Sequence, residues 1–206
     1  MNSIRTYSQD ENLINTRREQ IARGAAHLLV KKGYDKASIR EIAKTCNMSI
    51  GTMYHYVGSK EDILSLVFEY FMSRNVKFCE FVNSCNDLAP KEALQNIIER
   101  YFRGVDDIQD MALLAYQESM NLKKDVLKQV LEREKEMISA IEGILTKGCE
   151  AGEFKIDDIS LVANNIVVLG DTWAFKRWFL SKRYTIVDYI REQIKIIIDG
   201  ISAHKR

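Results

Sequence analysis

Between Ser38 and Lys60 the chain reads SIREIAKTCNMSIGTMYHYVGSK, a stretch that leaves the backbone little choice. Ser38 precedes Glu41 by three residues, the spacing of a capping box. There the serine oxygen accepts a backbone N–H and the carboxylate reaches back to the cap. Ile39, Ile42 and Ala43 follow at helical spacing and point inward. Asn47 suits the sharp turn after them. Met48 plugs the angle, and Ser49 caps a second helix running to about Tyr56. Gly58 breaks that helix, and Ser59 with Asp62 opens another in the manner of a capping box. The preceding segment carries Ile14, Ile21, Ala25, Leu28 and Leu29 as one helical stripe. Gly33 stands where a left-handed residue must end it. The motif is therefore two short helices at a tight turn, packed on a longer one.

The rest of the chain continues in helices. Only one Pro and ten Gly occur in 206 residues, which favours helices over a strand-and-turn architecture. A long helix from Lys60 to about Val82 carries Ile63, Leu64, Val67, Phe68, Phe71, Met72, Val76 and Phe78. Pro90 suits a first helical turn, and Ala93, Leu94, Ile97, Ile98, Tyr101 and Phe102 follow it. Further helices are expected over about Ile108–Met120 and Lys124–Cys149, the latter closed by Gly152. Asp157 and Asp158 open ISLVANNIVVLGDTWAFKRWFL, apolar nearly all round and hence expected to be buried. Thr185 and Asp188 cap the last helix. There Ile186, Ile190, Ile194, Ile197 and Ile201 share a face that Val187 and Ile198 broaden. The fold class is all-α. Residues 1–12 form a polar, flexible N-terminal segment, 13–60 a helix-turn-helix domain and 61–206 a helical effector-binding and dimerisation domain.

Charge is unevenly spread. Residues 1–60 carry +5 and the remainder −4, although the whole chain is only +1. A basic head on a mildly acidic body suits a polyanion-binding module joined to something else. The chain contains no apolar run of ~18 residues, so no membrane partner is expected. The N-terminal sequence lacks the apolar core of a signal peptide, and a cytoplasmic protein is expected. Cys46, Cys79, Cys85 and Cys149 form no C-x-x-C pair and lie far from the three His. Reduced thiols are expected, with no metal and no cofactor. Gly-rich phosphate loops and nucleophile elbows are also missing, which argues against an enzyme.

A helix-turn-helix sends its second helix into the DNA major groove. Gly51 removes bulk where backbone must approach a duplex. Thr52 offers a hydroxyl and a methyl, and Tyr54 and Tyr56 are stiff and hydroxyl-tipped, suited to phosphates. Lys60 sits at a helix N-terminus, which already favours an anion. Met53 and Val57 should lie on the opposite, buried side. Taken singly, such residues are more often protein core than DNA contact; their order over 23 residues is what points to DNA.

The stretch SIREIAKTCNMSIGTMYHYVGSKEDIL resembles the DNA-binding region of TetR-family transcriptional regulators. The resemblance assigns phosphate roles to Ser38, Tyr54, Tyr56 and Lys60, and base-facing positions to Arg40, Ile50, Gly51, Thr52 and His55. Val57 stands where Phe is more frequent, and Ile50 is apolar where several members are polar. It also implies a double-stranded operator, a homodimer built on the last two helices and a small-molecule effector. Pockets between helices are mostly apolar with a few placed polar groups. Tyr101, Phe102, Tyr116, Gln117, Met120, Trp173, Arg177 and Trp178 are candidates for such a lining, although for each taken alone a packed core is the better reading. The segments LLAYQESMNLKKDVLKQVLEREKE, GCEAGEF and GDTWAFKRWF resemble the subgroup of fatty-acid and steroid catabolism repressors that respond to acyl-CoA thioesters. That likeness implies an acyl-CoA effector. Its phosphates would meet Arg103, Lys176, Arg177 and Arg183, and its acyl chain would lie by Trp173, Trp178 and Phe179. A multidrug-efflux-type regulator with a broad aromatic pocket and a helical module that docks protein instead of DNA are the alternatives.

Overall fold

The computed structural model describes residues 11–119, 122 and 124–203. Among them are ten α-helices and no strand. The helices are α1 (Glu11–Lys32), α2 (Ile39–Thr45), α3 (Ile50–Tyr54), α4 (Lys60–Ser84), α5 (Pro90–Asp107), α6 (Gln109–Glu118), α7 (Lys124–Glu150), α8 (Ile159–Phe175), α9 (Arg177–Leu180) and α10 (Ile186–Ile201). Helix α1 begins at Glu11, so residues 11 and 12 are helical; the other ten of the expected N-terminal segment lie outside the described residues, as does Met120.

Local chemistry sets the boundaries. Ser38 Oγ accepts from Glu41 N–H (3.3 Å) while Glu41 Oε2 accepts from Ser38 N–H (3.0 Å), completing the capping box of α2. Thr185 and Asp188 do the same for α10. At α4 the reciprocal bond is displaced by one residue. Ser59 Oγ accepts from Asp62 N–H (3.1 Å), but Asp62 Oδ2 accepts from Gly58 N–H (3.0 Å). Gly33 (φ 88°) and Gly152 (φ 70°) end α1 and α7 in the left-handed region, and Asn47 (φ 52°) makes the turn between α2 and α3. Pro90 opens α5 at a position whose N–H is unsatisfied in any helix.

The chain packs as two compact units: residues 1–73 with 110–121, and 74–109 with 122–206. Helix α6 thus counts with the first unit by its contacts, whereas a division by expected task falls after Lys60. In the first unit, Ile21, Ala25, Leu29, Ile42, Ala43, Met53, Ile63 and Phe68 form the core. Gly24 lets α2 close on α1: a Cβ there would stand 2.5 Å from Cys46 Sγ. Burial pushes that thiol up to about 11, so it packs as a small apolar group.

The second unit is built on α5, whose buried face runs Ala93, Leu94, Ile97, Ile98, Tyr101, Phe102 and Val105 and meets α7, α8 and α10. Helix α8 is buried on one side only, through Ala163, Ile166, Val167, Gly170, Trp173 and Ala174. Its other side leaves Leu161 55% and Val168 50% exposed. Helix α10 likewise buries Ile190, Ile197, Ile198 and Ile201, half-buries Ile186 and Ile194, and leaves Val187 and Ile196 open. A helix apolar all round therefore leaves one apolar side uncovered by the described residues of its own chain.

Candidate nucleic-acid interface

Helix α3 is five residues long, and its orientation is fixed from one side. Met53 is fully buried and Val57, just past the helix, is 3% exposed. Ile50, Gly51, Tyr54 and His55 are exposed at the i, i+1, i+4, i+5 spacing of one helical face, adjacent to the buried one. Thr52 and Tyr56 flank it, half-buried. Ser49 Oγ accepts from Thr52 N–H (3.0 Å) and lies 2.8 Å from Thr52 Oγ1, so the Thr52 hydroxyl is held against the cap and its methyl is the freer group. A Cβ added at Gly51 would meet only Ser49 Oγ at 3.8 Å, an ordinary contact. The fold itself does not require glycine there; a surface approaching from outside gives it a reason.

Arg40 lies exposed on α2. Ser38 is engaged by Glu41, whose carboxylate also holds Lys32. These bonds hold Glu41 down to about 2, the side-chain bond from Lys32 foremost. Lys60 is the residue whose surroundings most exceed what the sequence suggested. Its ammonium donates to Ala37 O (3.0 Å) and Asp35 O (3.3 Å) and stands 4.3 Å from the centre of the Tyr34 ring. The lysine ties the start of α4 to the loop before α2, leaving one donor direction for an anion. Burial and the neighbouring Glu61 raise the Tyr34 hydroxyl. Tyr34, directly after Gly33, belongs to this corner; a lone Tyr in a loop gave no local signal of it. Gln20 was equally silent: its Nε2 donates to Cys46 O (2.6 Å) and pins the turn between α2 and α3 to α1.

The expected effector residues divide into groups. Tyr101, Phe102 and Trp173 come together in the second unit, 9% exposed or less, with Phe78 and Tyr189. The ring centres are 5.1 Å apart for Phe78–Tyr101, 5.8 Å for Phe102–Tyr189 and 5.2 Å for Trp173–Tyr189. Their polar tips reach carboxylates: Tyr101 Oη donates to Asp171 (2.8 Å) and Trp173 Nε1 to Asp106 (2.7 Å). Burial first, with the Tyr101 hydrogen bond opposing it, pushes Asp171 up to about 7. Arg103 is exposed and paired with Glu99 (2.8 Å). Lys176 lies between α8 and α9, and Arg177 and Trp178 open the short helix α9. Tyr116, 68% exposed, and Gln117 sit on α6 in the first unit. An open groove of about 590 Å³ runs between α7 and α8, lined by Leu131, Glu134, Ile138, Leu161 and Asn164 among others, and none of the expected effector residues lines it.

Comparison with known proteins adds an independent line. Residues 21–67 match the family model of the bacterial regulatory proteins, tetR family, and residues 87–200 that of the tetracyclin repressor-like C-terminal domain. The HTH-type transcriptional regulator HbdR of Aromatoleum sp. (strain CIB) is 28% identical over 199 residues, covering 96% of this chain and 86% of HbdR. The solved structure of the ketosteroid transcriptional regulator KstR2 of Mycobacterium tuberculosis superposes with a TM-score of 0.77 at 20% identity, covering 98% of this chain and all of that one. That of AibR in complex with isovaleryl coenzyme A and operator DNA gives 0.71 at 22% identity, covering 87% and 97%.

Proposed function

Because the chain belongs to the tetR family of bacterial regulatory proteins, we propose that it is a homodimeric repressor that leaves a palindromic operator when an acyl-CoA thioester binds its helical body. The observation that carries the DNA reading is the open face of α3. Four neighbouring positions are exposed on a helix that Met53 and Val57 anchor to the core. In this reading Ile50, Gly51, Thr52 and His55, with Arg40, meet base edges; Ser38, Tyr54, Tyr56 and Lys60 meet phosphates. The chain acts in the cytoplasm, where its DNA is.

Two heads must reach major grooves ~34–36 Å apart or a multiple of that, which a dimer provides. The open apolar sides of α8 and α10 support a second copy as the covering partner. The acyl-CoA class is supported by the isovaleryl coenzyme A held by AibR. Effector and operator then compete through a coupling of typically ~1–3 kcal/mol, which must act equally in both directions.

The test is fluorescence anisotropy of labelled fragments from the DNA flanking the gene, repeated with a series of acyl-CoA thioesters and with cationic drugs. One fragment should bind in preference to bulk competitor and be released by a thioester. Failure to prefer any duplex removes the regulator reading; release by cationic drugs alone replaces the thioester with the efflux-type alternative.

A further inference from the structure

From Thr172 to Val187 the chain contains no acidic residue, yet the segment joining α8 to α10, the short helix α9 included, gathers cations and open aromatic rings. Trp178 is 64% exposed, Phe179 40% and Tyr184 44%. Burying such rings would be favourable, so their exposure marks a surface that takes a partner. Lys176, Lys182 and Arg183 stand among them, all exposed. Among the described residues, none of these three has a carboxylate within ion-pair distance. Arg183 is instead stacked over the Phe179 ring at 4.0 Å, and Trp178 meets Phe179 edge-on with centres 5.8 Å apart. A guanidinium carbon seated over a ring face engages that face without using up its N–H donors, which remain to take a phosphate. The indole beside it offers a face of the kind on which nucleobases stack.

We infer that the turn 176–184 binds the phosphorylated adenine nucleotide end of a coenzyme A thioester, base on Trp178 and phosphates on Lys182 and Arg183. This rests on the acyl-CoA reading and gives the exposed rings a different task from flanking an acyl chain. A second copy seated here on its own symmetry mate is the poorer occupant, because it would set identical uncompensated cations against each other. A nucleotide with several negative phosphates complements them.

The experiment uses the full-length protein. Free coenzyme A, adenosine 3′,5′-bisphosphate and 4′-phosphopantetheine are each titrated against it by calorimetry and by quenching of tryptophan emission. Trp173 is buried, so quenching by a ligand at this turn reports Trp178. Coenzyme A and the bisphosphate should bind in competition and quench, and 4′-phosphopantetheine should do neither. K182E/R183E should weaken coenzyme A at least tenfold while leaving operator affinity without ligand, and dimer mass, unchanged; W178F should lose the quench.

Equal coenzyme A affinity in wild type and K182E/R183E overturns the inference. So does operator release by thioesters with no detectable binding of free coenzyme A or the bisphosphate, an outcome that leaves the proposed function standing. Loss of operator binding or of dimerisation in the variant also overturns it, assigning the turn to DNA or to the second copy. If no thioester releases the operator but the variant loses coenzyme A binding, the nucleotide site stands and the acyl-CoA effector falls.

Discussion

Gly51 separates folding from recognition at a single residue. It lies inside a helix with negative φ and open space around its missing Cβ. Alanine there should raise stability by about 0.5–1 kcal/mol, through helix propensity and a less free unfolded chain. If the bare backbone meets DNA, the same methyl group should weaken operator binding. Thermal melting and anisotropy on Gly51→Ala should therefore move in opposite directions; equal operator affinity would mean the duplex does not approach here. Asp171 gives the pH dependence. Its folded pKa, about 7, lies above the ordinary carboxylate value, so the folded state holds the proton more tightly. Stability from this group is present below about pH 4 and is lost as pH rises towards 7. The residue is only partly buried, so the loss is on the order of 2 kcal/mol, less than the full shift implies. Asp171→Asn should flatten the fall in melting temperature between pH 4 and 7. Ser38, Glu41 and Asn47 could be read from sequence because their partners lie within a turn of them. The bonds from Lys60 to Asp35 and Ala37, and from Tyr101 to Asp171, join residues 23 to 70 positions apart, and no local pattern announces them.

At the scale of helices, most starts and stops were legible and faces were less so; the break at Lys176 that divides α8 from α9 had no local signal. The capping boxes of α2 and α10, the proline of α5 and the left-handed glycines all act on their own backbone, and each lies where the sequence expects it. Which side of α8 is covered depends on α5 and α7, so an apolar sequence all round could not reveal that only one side packs inside the chain. The aromatic cluster shows the same limit: Tyr101, Phe102 and Trp173 were candidates for a cavity wall, and they lie buried against one another and their neighbours. Gly170 is the element-level key to that packing. A Cβ there would stand 2.6 Å from Tyr101 Cε1 and 2.9 Å from Phe102 Cδ1. Gly170→Ala should therefore destabilise by about 1–3 kcal/mol, despite alanine's better helix propensity, because two packed rings must shift. Urea denaturation measures it, and a neutral or stabilising result would show that the α5–α8 contact is loose.

For the whole molecule, the open sides of α8 and α10 matter most. Val168→Glu places a charge on the outer side of α8, where its own chain makes no demand. It should leave helix content unchanged, halve the particle mass in sedimentation at micromolar protein, and weaken operator binding through loss of the second head. A particle mass equal to that of the wild type would move the second copy to another surface. Helix α6, grouped with the first unit, is attached to α1 through His27 Nδ1, 2.8 Å from Asp110 Oδ2, while its covalent neighbours on both sides belong to the second unit. Under the proposed release by a thioester, His27→Ala tests whether this pair takes part: operator affinity without ligand and thioester affinity should each equal those of the wild type, while the thioester no longer frees the labelled operator in anisotropy. Release equal to that of the wild type would leave the pair a local tie between two helices of the head.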